Sequence, residues 1–349
     1  MEHRPRLTPE EYQILMSLRE RGHISELVDQ CSEAGIPLKD VSHYWHKSEK
    51  FSIFAKNDQP SLDAMFTPIL KELREYSPKF KKIKRKPVKD SHCIVFDPAD
   101  IHVGKLAEIT ETGQVYNIDK AVEQVDEAIE GLISKAFGFN IDKVVLVIGN
   151  DCLHIDTPRR TTTSGTPQDT SGMWHEAFQA AKAMYVRSIE RLLSIADVHV
   201  IYNPSNHDYM SGYMLAQTIE AYFRWSNNVT FDVSISHRKY FSYGVNMIGT
   251  SHGDGAKLAD TPLLMATENP QMWNDCPYRY IYLHHIHHKQ THKFMSGKDF
   301  IGVTAEYIRS PSPSDSWHHR NGYVGAKKAI EAFIHSFDKG QVARLTHHV

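Results

Sequence analysis

The sequence predicts an α/β fold preceded by a smaller helical segment, and three features of the chain support that prediction. From about residue 91 onward, short apolar runs alternate with longer segments that place apolar residues at helical spacing. Several of these runs are continuously apolar, which is typical of strands buried on both faces of a sheet. The hydrophobic fraction is 41% and the charged fraction 23%, as expected for a chain that buries a substantial core.

The chain before that region is predicted to form a smaller helical domain, residues 1–78, with the outline of a helix-turn-helix. Proline follows Thr8, which is typical of a helix start, and further helices are expected at residues 25–34 and 39–47. The glycine and proline within residues 35–37 predict a tight turn between them. The same outline occurs in DNA-binding domains and in plain helical or oligomerisation modules, so both interpretations stay open.

A basic segment, residues 79–90, is expected to link this domain to the α/β region. Its sequence includes KFKKIKRKPVK, the most basic run of the chain. An isolated charge run is usually a solvated segment. Its place directly after a helix-turn-helix-like domain makes contact with a nucleic-acid backbone the alternative.

The α/β region, residues 91–349, contains the strands and helices in alternation. Strands are expected at residues 93–96, 144–148, 198–202, 247–250, 280–283 and 300–305, and helices at residues 121–137, 174–195 and 214–225. Residues 157–172 are rich in Thr, Ser, Gly and Pro and predict a long loop of the kind that contacts substrate.

Small groups of Asp, Asn and His lie at or just after several of these strands. They are Asp100-Ile101-His102, Asn150-Asp151, Asn206-His207-Asp208, His252-Gly253 and His285-Ile286-His287. One such group alone is usually an ordinary hydrogen-bonded cluster. Their joint occurrence at strand ends, in a chain with 22 histidines, predicts one site that collects oxygen and imidazole ligands for two metal ions.

In their order, these motifs resemble the calcineurin-like metallophosphoesterase superfamily, whose series is D-x-H, G-D, G-N-H-[D/E], G-H and G-H-x-H. The chain layout is similar to phage- or prophage-encoded members grouped with DNA repair exonucleases. The resemblance covers residues 91–310 and implies a four-layer αββα sandwich, two sheets stacked between helices. The sequence departs from the pattern where Asn150, Ser205, Ser251 and His284 replace family glycines.

The resemblance also implies how the site is divided. One ion would be held by Asp100, His102, Asp151 and His287, and the other by Asp151, Asn206, His252 and His285. Asp151 would bridge the two ions, which would share a water and lower its pKa so that hydroxide attacks phosphorus. His207 would act as general acid, with Asp208 orienting it.

Metal identity and substrate contacts are further expectations. A ligand set of oxygen and imidazole without thiolate suits manganese, iron or zinc, and nuclease branches of the superfamily favour manganese. Arg159 and Arg160 are candidate phosphate clamps, because guanidinium binds phosphate through two hydrogen bonds. His154, His284 and His288 are candidate contacts to substrate or to the ligands, with ordinary surface histidines as the alternative.

The sequence leaves the substrate open. The helix-turn-helix outline, the basic run and the arginine-bearing loop favour DNA as a partner, although a net charge of -2 gives no global basic signature. The alternatives are a small-molecule or cyclic-nucleotide phosphodiesterase or phosphatase whose N-terminal helices form a homo-oligomer, and an inactive DNA-binding or scaffold protein. Four cysteines without CxxC spacing, and no long apolar span, favour a cytoplasmic protein that does not enter a membrane.

Overall fold

A computed structural model describes residue 33 and residues 43–47, 52–56, 78–286, 297–322 and 325–349. The chain divides into two compact units, residues 1–76 and 77–349, which are considered separately.

The described part of the first unit is a small antiparallel sheet. Strand β1 (His43–Lys47) pairs with strand β2 (Ser52–Lys56), so that Trp45 lies opposite Phe54. The prediction of a third helix through residues 43–47 is therefore wrong. These residues are rich in aromatic side chains, which favour strands, and the pairing with β2 outweighs their helical spacing. Glu33 is helical, as expected for the second helix, and the remainder of the predicted helix-turn-helix lies outside the described residues.

The second unit is built on two mixed sheets. The first has six strands in the order β13-β12-β3-β4-β5-β6, with β3 to β6 parallel to one another. Its strands are β3 (His92–Asp97), β4 (Ile141–Gly149), β5 (Asp197–Asn203), β6 (Val229–Asp232), β12 (Ala329–Ser336) and β13 (Gly340–His348). The long interior strand β4 is buried from Val144 onward, as its continuous apolar run predicted.

The second sheet has five strands in the order β10-β11-β9-β8-β7. Its strands are β7 (Arg238–Tyr243), β8 (Asn246–Ser251), β9 (Tyr278–Leu283), β10 (Gly297–Phe300) and β11 (Val303–Tyr307). Strands β8, β9 and β11 are parallel, and the two edge strands are antiparallel to their neighbours.

Helices cover both outer faces. The described helices are α1 (Ile109–Thr112), α2 (Ile118–Lys135), α3 (Trp174–Leu192), α4 (Tyr209–Phe223), α5 (Thr261–Glu268), α6 (Pro270–Asp275) and α7 (Ser316–Arg320). Helix α2 presents Val125, Ile129 and Leu132 to the six-stranded sheet, as its periodicity predicted.

Separate apolar clusters define the layers. Helices α2, α3 and α4 pack on one face of the six-stranded sheet, and Met184, Ile219 and Leu146 belong to the apolar cluster between them. A second cluster lies between the sheets, and includes Val145 and Ile248. A third cluster joins the far face of the five-stranded sheet to α5 and α6. The order helices, sheet, sheet, helices is the αββα arrangement that the resemblance implied.

Part of the basic segment packs on this unit. Phe80 stacks on Phe223 with ring centroids 5.1 Å apart, and Arg85 Nε donates to Asp197 Oδ1 at 2.7 Å. Asp197 begins β5, whereas the Asp, Asn and His groups follow the opposite ends of the strands. The lysines of the run are exposed.

Among the described helices, none combines the length and apolar character needed to cross a bilayer.

Candidate metal centre

The carboxyl ends of five parallel strands carry the predicted groups. The first three groups follow the ends of β3, β4 and β5 in the sequence, and the last two follow the ends of β8 and β9. The sheets are joined at this edge, because Asn203 Nδ2 donates to the Thr250 carbonyl at 3.1 Å and Thr250 Oγ1 donates to Asn203 Oδ1 at 3.0 Å. Gly149, the last residue of β4, has a φ angle of 85° and lies beside the Asn203 carbonyl. A Cβ atom at this position would collide with that carbonyl oxygen. The groups therefore meet at one place.

Several residues of these groups have left-handed backbone conformations. The φ angles are 52° at Asp100, 51° at His102, 50° at Asn150, 59° at Asp151 and 68° at His285. Asp, Asn and His tolerate this region better than most residues, yet each such residue costs about 1–3 kcal/mol. Hydrogen bonds between the first two groups hold the conformation, from Asp100 N to Asn150 O at 2.8 Å and from His102 N to Asp151 O at 2.9 Å. Strain of this kind is typical of functional sites.

Asp151 belongs to two clusters of candidate ligands. In one, a donor atom from each of Asp100, His102 and Asp151 lies within 4.8 Å of the others. In the other, Asp151, His252 and His285 do the same. These are groups that could hold metal ions, and each contains three of the four side chains that the resemblance implied for one ion.

The second cluster also contains an amide oxygen. His252 Nε2 lies 2.9 Å from Asn206 Oδ1 and 3.2 Å from Asp151 Oδ2, so two oxygens and a ring nitrogen converge. His285 N donates to Asp100 Oδ2 at 3.3 Å, which links this cluster to the first. His287, the remaining predicted ligand, and His288 lie outside the described residues.

The clusters are buried, and their carboxyl and imidazole groups shift one another's pKa. Burial opposes ionisation of Asp151, but the neighbouring His252 and His207 outweigh it and hold the pKa of that carboxyl below its usual range. Burial, reinforced by Asp151, raises the pKa of Asp100 to about 7. Burial lowers the pKa of His252, but Asp151 and Asp100 more than compensate and raise it to about 9. The carboxylates that stabilise the positive charge of protonated His252 would stabilise a bound cation in the same way.

His207 stands beside the clusters. Its Nδ1 donates to the His154 carbonyl at 2.9 Å, which fixes the ring and directs Nε2 away from that bond. The ring stacks on His154 with centroids 5.4 Å apart and meets His102 edge-on at 4.6 Å. His207 N donates to Asp151 Oδ1 at 3.0 Å. The general-acid candidate is thus oriented by the backbone that carries the ligands.

Asp208 does not take the place expected for it. Its carboxylate accepts from Ser205 Oγ at 2.6 Å and from Leu153 N at 2.8 Å, and Ser205 Oγ in turn accepts from Asp151 N at 2.7 Å. Burial raises the pKa of Asp208 to about 7. Through these bonds the Asp208 carboxylate links the Asn206-His207-Asp208 group to the Asn150-Asp151 group. The His207 ring is oriented by the His154 carbonyl rather than by Asp208.

His154 contacts a candidate ligand directly. Its Nδ1 lies 3.3 Å from His102 Nδ1, and the two rings are nearly perpendicular. Burial, with the nearby His207 and Lys105, lowers the pKa of His154 well below its usual range. A neutral imidazole bonded to a ligand ring sets that ring's orientation, so His154 supports His102 as well as facing the cleft.

A cleft of about 640 Å³ opens over the clusters. His102, Asp151, Asn206 and His285 are among its lining residues, and other parts of its lining come from the 157–172 loop and from helix α7. The wall residues include Thr162, Ser164, Thr166, Gln168, Asp169, Asp315, Trp317 and His318. The loop is anchored at Asp156, which accepts from Ser211 N at 2.7 Å and Met210 N at 3.1 Å at the start of α4. The predicted loop thus borders the site.

Arg159 and Arg160 lie on the outer side of this loop. Both are exposed, neither is among the residues that line the cleft, and Arg160 Nη2 lies 4.0 Å from Met173 Sδ. Their role as phosphate clamps stays a prediction.

Sequence reasoning named His284 but missed its buried partner Asp97, and it also missed a buried lysine in the wall of the cleft. His284 Nε2 lies 3.4 Å from Asp97 Oδ1, and both side chains are fully buried between strand ends. Lys105 is 1% exposed and lines the cleft. The signal for Lys105 was its place just after Gly104, since a charged residue in an apolar stretch is rarely buried without a purpose.

The residues present fit divalent ions. The buried Asp151 Oδ2 and the Asn206 Oδ1 atom lie 3.2 Å and 2.9 Å from the same His252 Nε2 atom, and oxygens gathered around one buried nitrogen in this way are satisfied when a cation lies among them. Oxygen and imidazole donors together suit first-row divalent cations.

Comparisons with known proteins add little to this geometry. No family model matches the sequence, and no curated protein matches it. Among solved structures, a single mutant of Vps29 from Entamoeba histolytica is 12% identical with a TM-score of 0.28, covering 73% of this chain and 99% of that one. Vps29 from Chaetomium thermophilum is 10% identical, with a TM-score of 0.28 and coverage of 73% and 96%.

A third structure is the sulfate thiohydrolase SoxB of Thermus thermophilus in complex with glycerol. It is 8% identical with a TM-score of 0.33, covering 76% of this chain and 58% of that one. At these identities and TM-scores, the similarity assigns neither a fold nor a function to this chain. Its fold and candidate site follow from its own topology and contacts.

Proposed function

We propose that this chain is a metal-dependent phosphoesterase of the calcineurin-like type, with two divalent ions at the strand ends. The observation that carries the proposal is the position of Asp151, whose carboxylate belongs to both clusters while His207 lies beside it. One ion would be held by Asp100, His102, Asp151 and His287, and the other by Asp151, Asn206, His252 and His285.

The chemistry divides between ions and protein. A pair of bound divalent ions lowers the pKa of water and neutralises charge on phosphoryl oxygens. His207 is the general acid: its Nδ1 stays bonded to the His154 carbonyl, so a protonated ring presents Nε2–H to the leaving oxygen. The His154 ring holds His102, and the Ser205–Asp208 bond holds the backbone of Asp151.

The metal is proposed to be manganese. The donor set contains carboxylate, amide and imidazole but no thiolate, which suits manganese, iron or zinc. Cys152 follows Asp151 directly but is fully buried in the helix-side core, and burial raises the pKa of its thiol.

DNA is the proposed substrate, as in the phage-type, repair-exonuclease-like branch of that superfamily. The segment that carries the exposed lysines of residues 79–89 is bonded through Arg85 to Asp197 at the start of β5, and the cleft lies at the opposite end of the parallel strands. Arg159 and Arg160 are exposed on the outside of the cleft wall. An extended polyanion is the kind of substrate that can touch the cleft and these outer cations together.

A small-molecule phosphodiesterase is the second candidate, and the composition of the cleft favours it. The wall from the 157–172 loop presents hydroxyl and amide groups, and the lysine that lines the cleft, Lys105, is paired with Asp315. Among the described wall residues there is no unpaired lysine or arginine, which suits a substrate whose charge is confined to one phosphate.

One experiment separates these functions. The purified chain would be incubated with Mn²⁺ and linear single-stranded DNA, duplex DNA, a diester dye or a monoester dye. His207→Ala is the test variant and His175→Ala, an exposed histidine outside the cleft, is its matched control.

Degradation of DNA that falls about 10²–10⁴-fold in His207→Ala, but not in His175→Ala, supports the nuclease. Cleavage of dyes alone supports the small-molecule enzyme. Absence of turnover with retention of DNA on a gel would instead indicate an inactive DNA-binding protein and overturn the proposal.

A further inference from the structure

The segment after β11 is fastened to the first ligand loop. Ser310 Oγ donates to the Asp100 carbonyl at 3.0 Å, and Lys105 Nζ donates to the Pro313 carbonyl at 2.7 Å. Both side chains are buried, at 3% and 1% exposure. The path of this segment across the site is therefore fixed by the same loop that carries Asp100 and His102.

A buried ion pair fixes the helix that follows. Lys105 Nζ lies 3.3 Å from Asp315 Oδ2, and Asp315 Oδ1 accepts from His318 N at 2.9 Å, which caps α7. Burial opposes ionisation of Asp315, but its bonds to His318 and the charge of Lys105 hold the pKa of the carboxyl below its usual range. Helix α7 is thus held against the cleft by a charged contact to the ligand loop.

This arrangement presents Trp317 at the cleft. Its side chain lines the cleft yet is 60% exposed, and its ring meets His318 edge-on with centroids 5.1 Å apart. Tryptophan is enriched at binding interfaces, because its ring offers a large apolar contact surface. Thr162, Ser164 and Gln168 line the same cleft with hydrogen-bonding groups.

We propose that Trp317 is a stacking platform for a nucleobase, so that the cleft binds a nucleotide unit whose phosphate lies over the metal clusters. The inference rests on the proposed function and narrows its substrate to nucleotide phosphodiesters, whether in DNA or in a small diester. An indole ring stacks on any base, while hydroxyl and amide groups hydrogen bond to sugar and base edges. Lys105 and Asp315 act as positioning residues for the platform.

Binding of nucleoside monophosphate tests this without requiring turnover. Calorimetry on the Mn²⁺-loaded chain would compare thymidine 5′-monophosphate with deoxyribose 5-phosphate, which lacks the base. Trp317→Ala should weaken binding of the nucleotide about ten-fold and leave the sugar phosphate unchanged. Trp317→Phe should retain most of the affinity, because an aromatic face remains.

Trp225→Ala is the matched control, since Trp225 is 61% exposed but follows the far end of α4. Equal loss for both ligands in Trp317→Ala, no loss for either, or equal affinity of the unaltered chain for both would overturn the inference. A base-dependent loss in a chain that cleaves no phosphodiester would uphold the platform and reject the proposed function.

Where turnover is observed, a kinetic experiment shows whether the nucleotide unit belongs to DNA or to a small diester. Trp317→Ala should raise KM for a single-stranded oligonucleotide, for a dinucleotide, or for both, and not for an oligonucleotide with abasic residues at the cleaved position. A rise for the abasic substrate as well would mean that the substitution disturbs the cleft and would count against stacking.

Discussion

Asp151, at the end of β4 in the six-stranded sheet, places its Oδ2 atom 3.2 Å from Nε2 of His252, at the end of β8 in the other sheet. The contact shows that the candidate centre is built by both sheets together. The geometry of the centre depends on how the two sheets stack. The hydrogen bonds between Asn203 of β5 and Thr250 of β8 hold the sheets together next to the centre. Substitutions at single positions can therefore separate the metal-binding side chains from the contacts that hold them in place.

Removal of the shared carboxylate should affect both ions. Asp151→Asn keeps the shape of the side chain but removes the charge that both clusters use, so we expect loss of both ions and of activity. His285→Ala alters one cluster and should mainly weaken one of two binding events. Calorimetric titration with Mn²⁺ measures both, with Asp142→Asn, at the opposite end of β4, as control. Two undiminished binding events in Asp151→Asn would contradict the shared position.

Ser205 should prove necessary for the backbone of the site. Ser205→Ala leaves Asp151 N and Asp208 Oδ1 without their buried partner, and an unsatisfied buried group costs about 1–3 kcal/mol. We expect a decrease of this size in the free energy of unfolding by urea, together with weaker Mn²⁺ binding. Ser242→Ala, on the exposed side of β7, should change neither quantity. Unchanged stability in Ser205→Ala would mean that the bond to Asp208 does not hold the site.

Arg159 and Arg160 should matter only for extended substrates. Because both are exposed outside the cleft, the double alanine variant should raise KM for a long oligonucleotide and flatten its dependence on salt. The KM for a small diester should stay the same, since that substrate remains inside the cleft. An equal rise for both substrates would place the arginines at the scissile phosphate instead.

His335 should make the fold sensitive to acid. This histidine is fully buried on β12, and burial lowers its pKa from 6.5 to about 3. Below pH 6.5 the unfolded chain therefore binds a proton that the folded chain does not, and stability falls progressively between pH 6.5 and pH 3.

Between pH 7 and pH 5 this one group should cost about 2 kcal/mol. His335→Gln removes the titrating ring, so its free energy of unfolding should fall by about that much less over the same interval. Urea unfolding of both chains at the two pH values gives the comparison. Identical pH dependence in the two chains would mean that His335 is protonated in the folded state.

The strand ends could be predicted from the sequence, because polar groups with metal-binding chemistry follow apolar runs there. The contacts among Asp100, His102 and Asp151 could not, since they depend on left-handed conformations and on hydrogen bonds between loops far apart in sequence. The orientation of His207 was missed for the same reason. Its partner is a backbone carbonyl, which leaves no mark in the sequence.

Other parts of the fold carry misleading patterns. Strand β12 inserts between β13 and β3, but it was not predicted because Glu331 and His335 interrupt its apolar run. Both are buried, and Glu331 is balanced by Arg344 Nη2 at 2.7 Å from the next strand. Residues 43–47 were predicted helical from local spacing, whereas pairing with β2 decides their conformation. Tertiary pairing overrides local pattern in both cases.

Anomalous diffraction from a crystal of the chain soaked in Mn²⁺ tests the proposed two-ion centre most directly. We expect two peaks about 3.5–4 Å apart. One should be bound by Asp100 and His102 and the other by Asn206, His252 and His285, with a carboxylate oxygen of Asp151 at each. A single peak, or ions held away from Asp151, would contradict the claim that this chain builds a two-ion centre between its sheets.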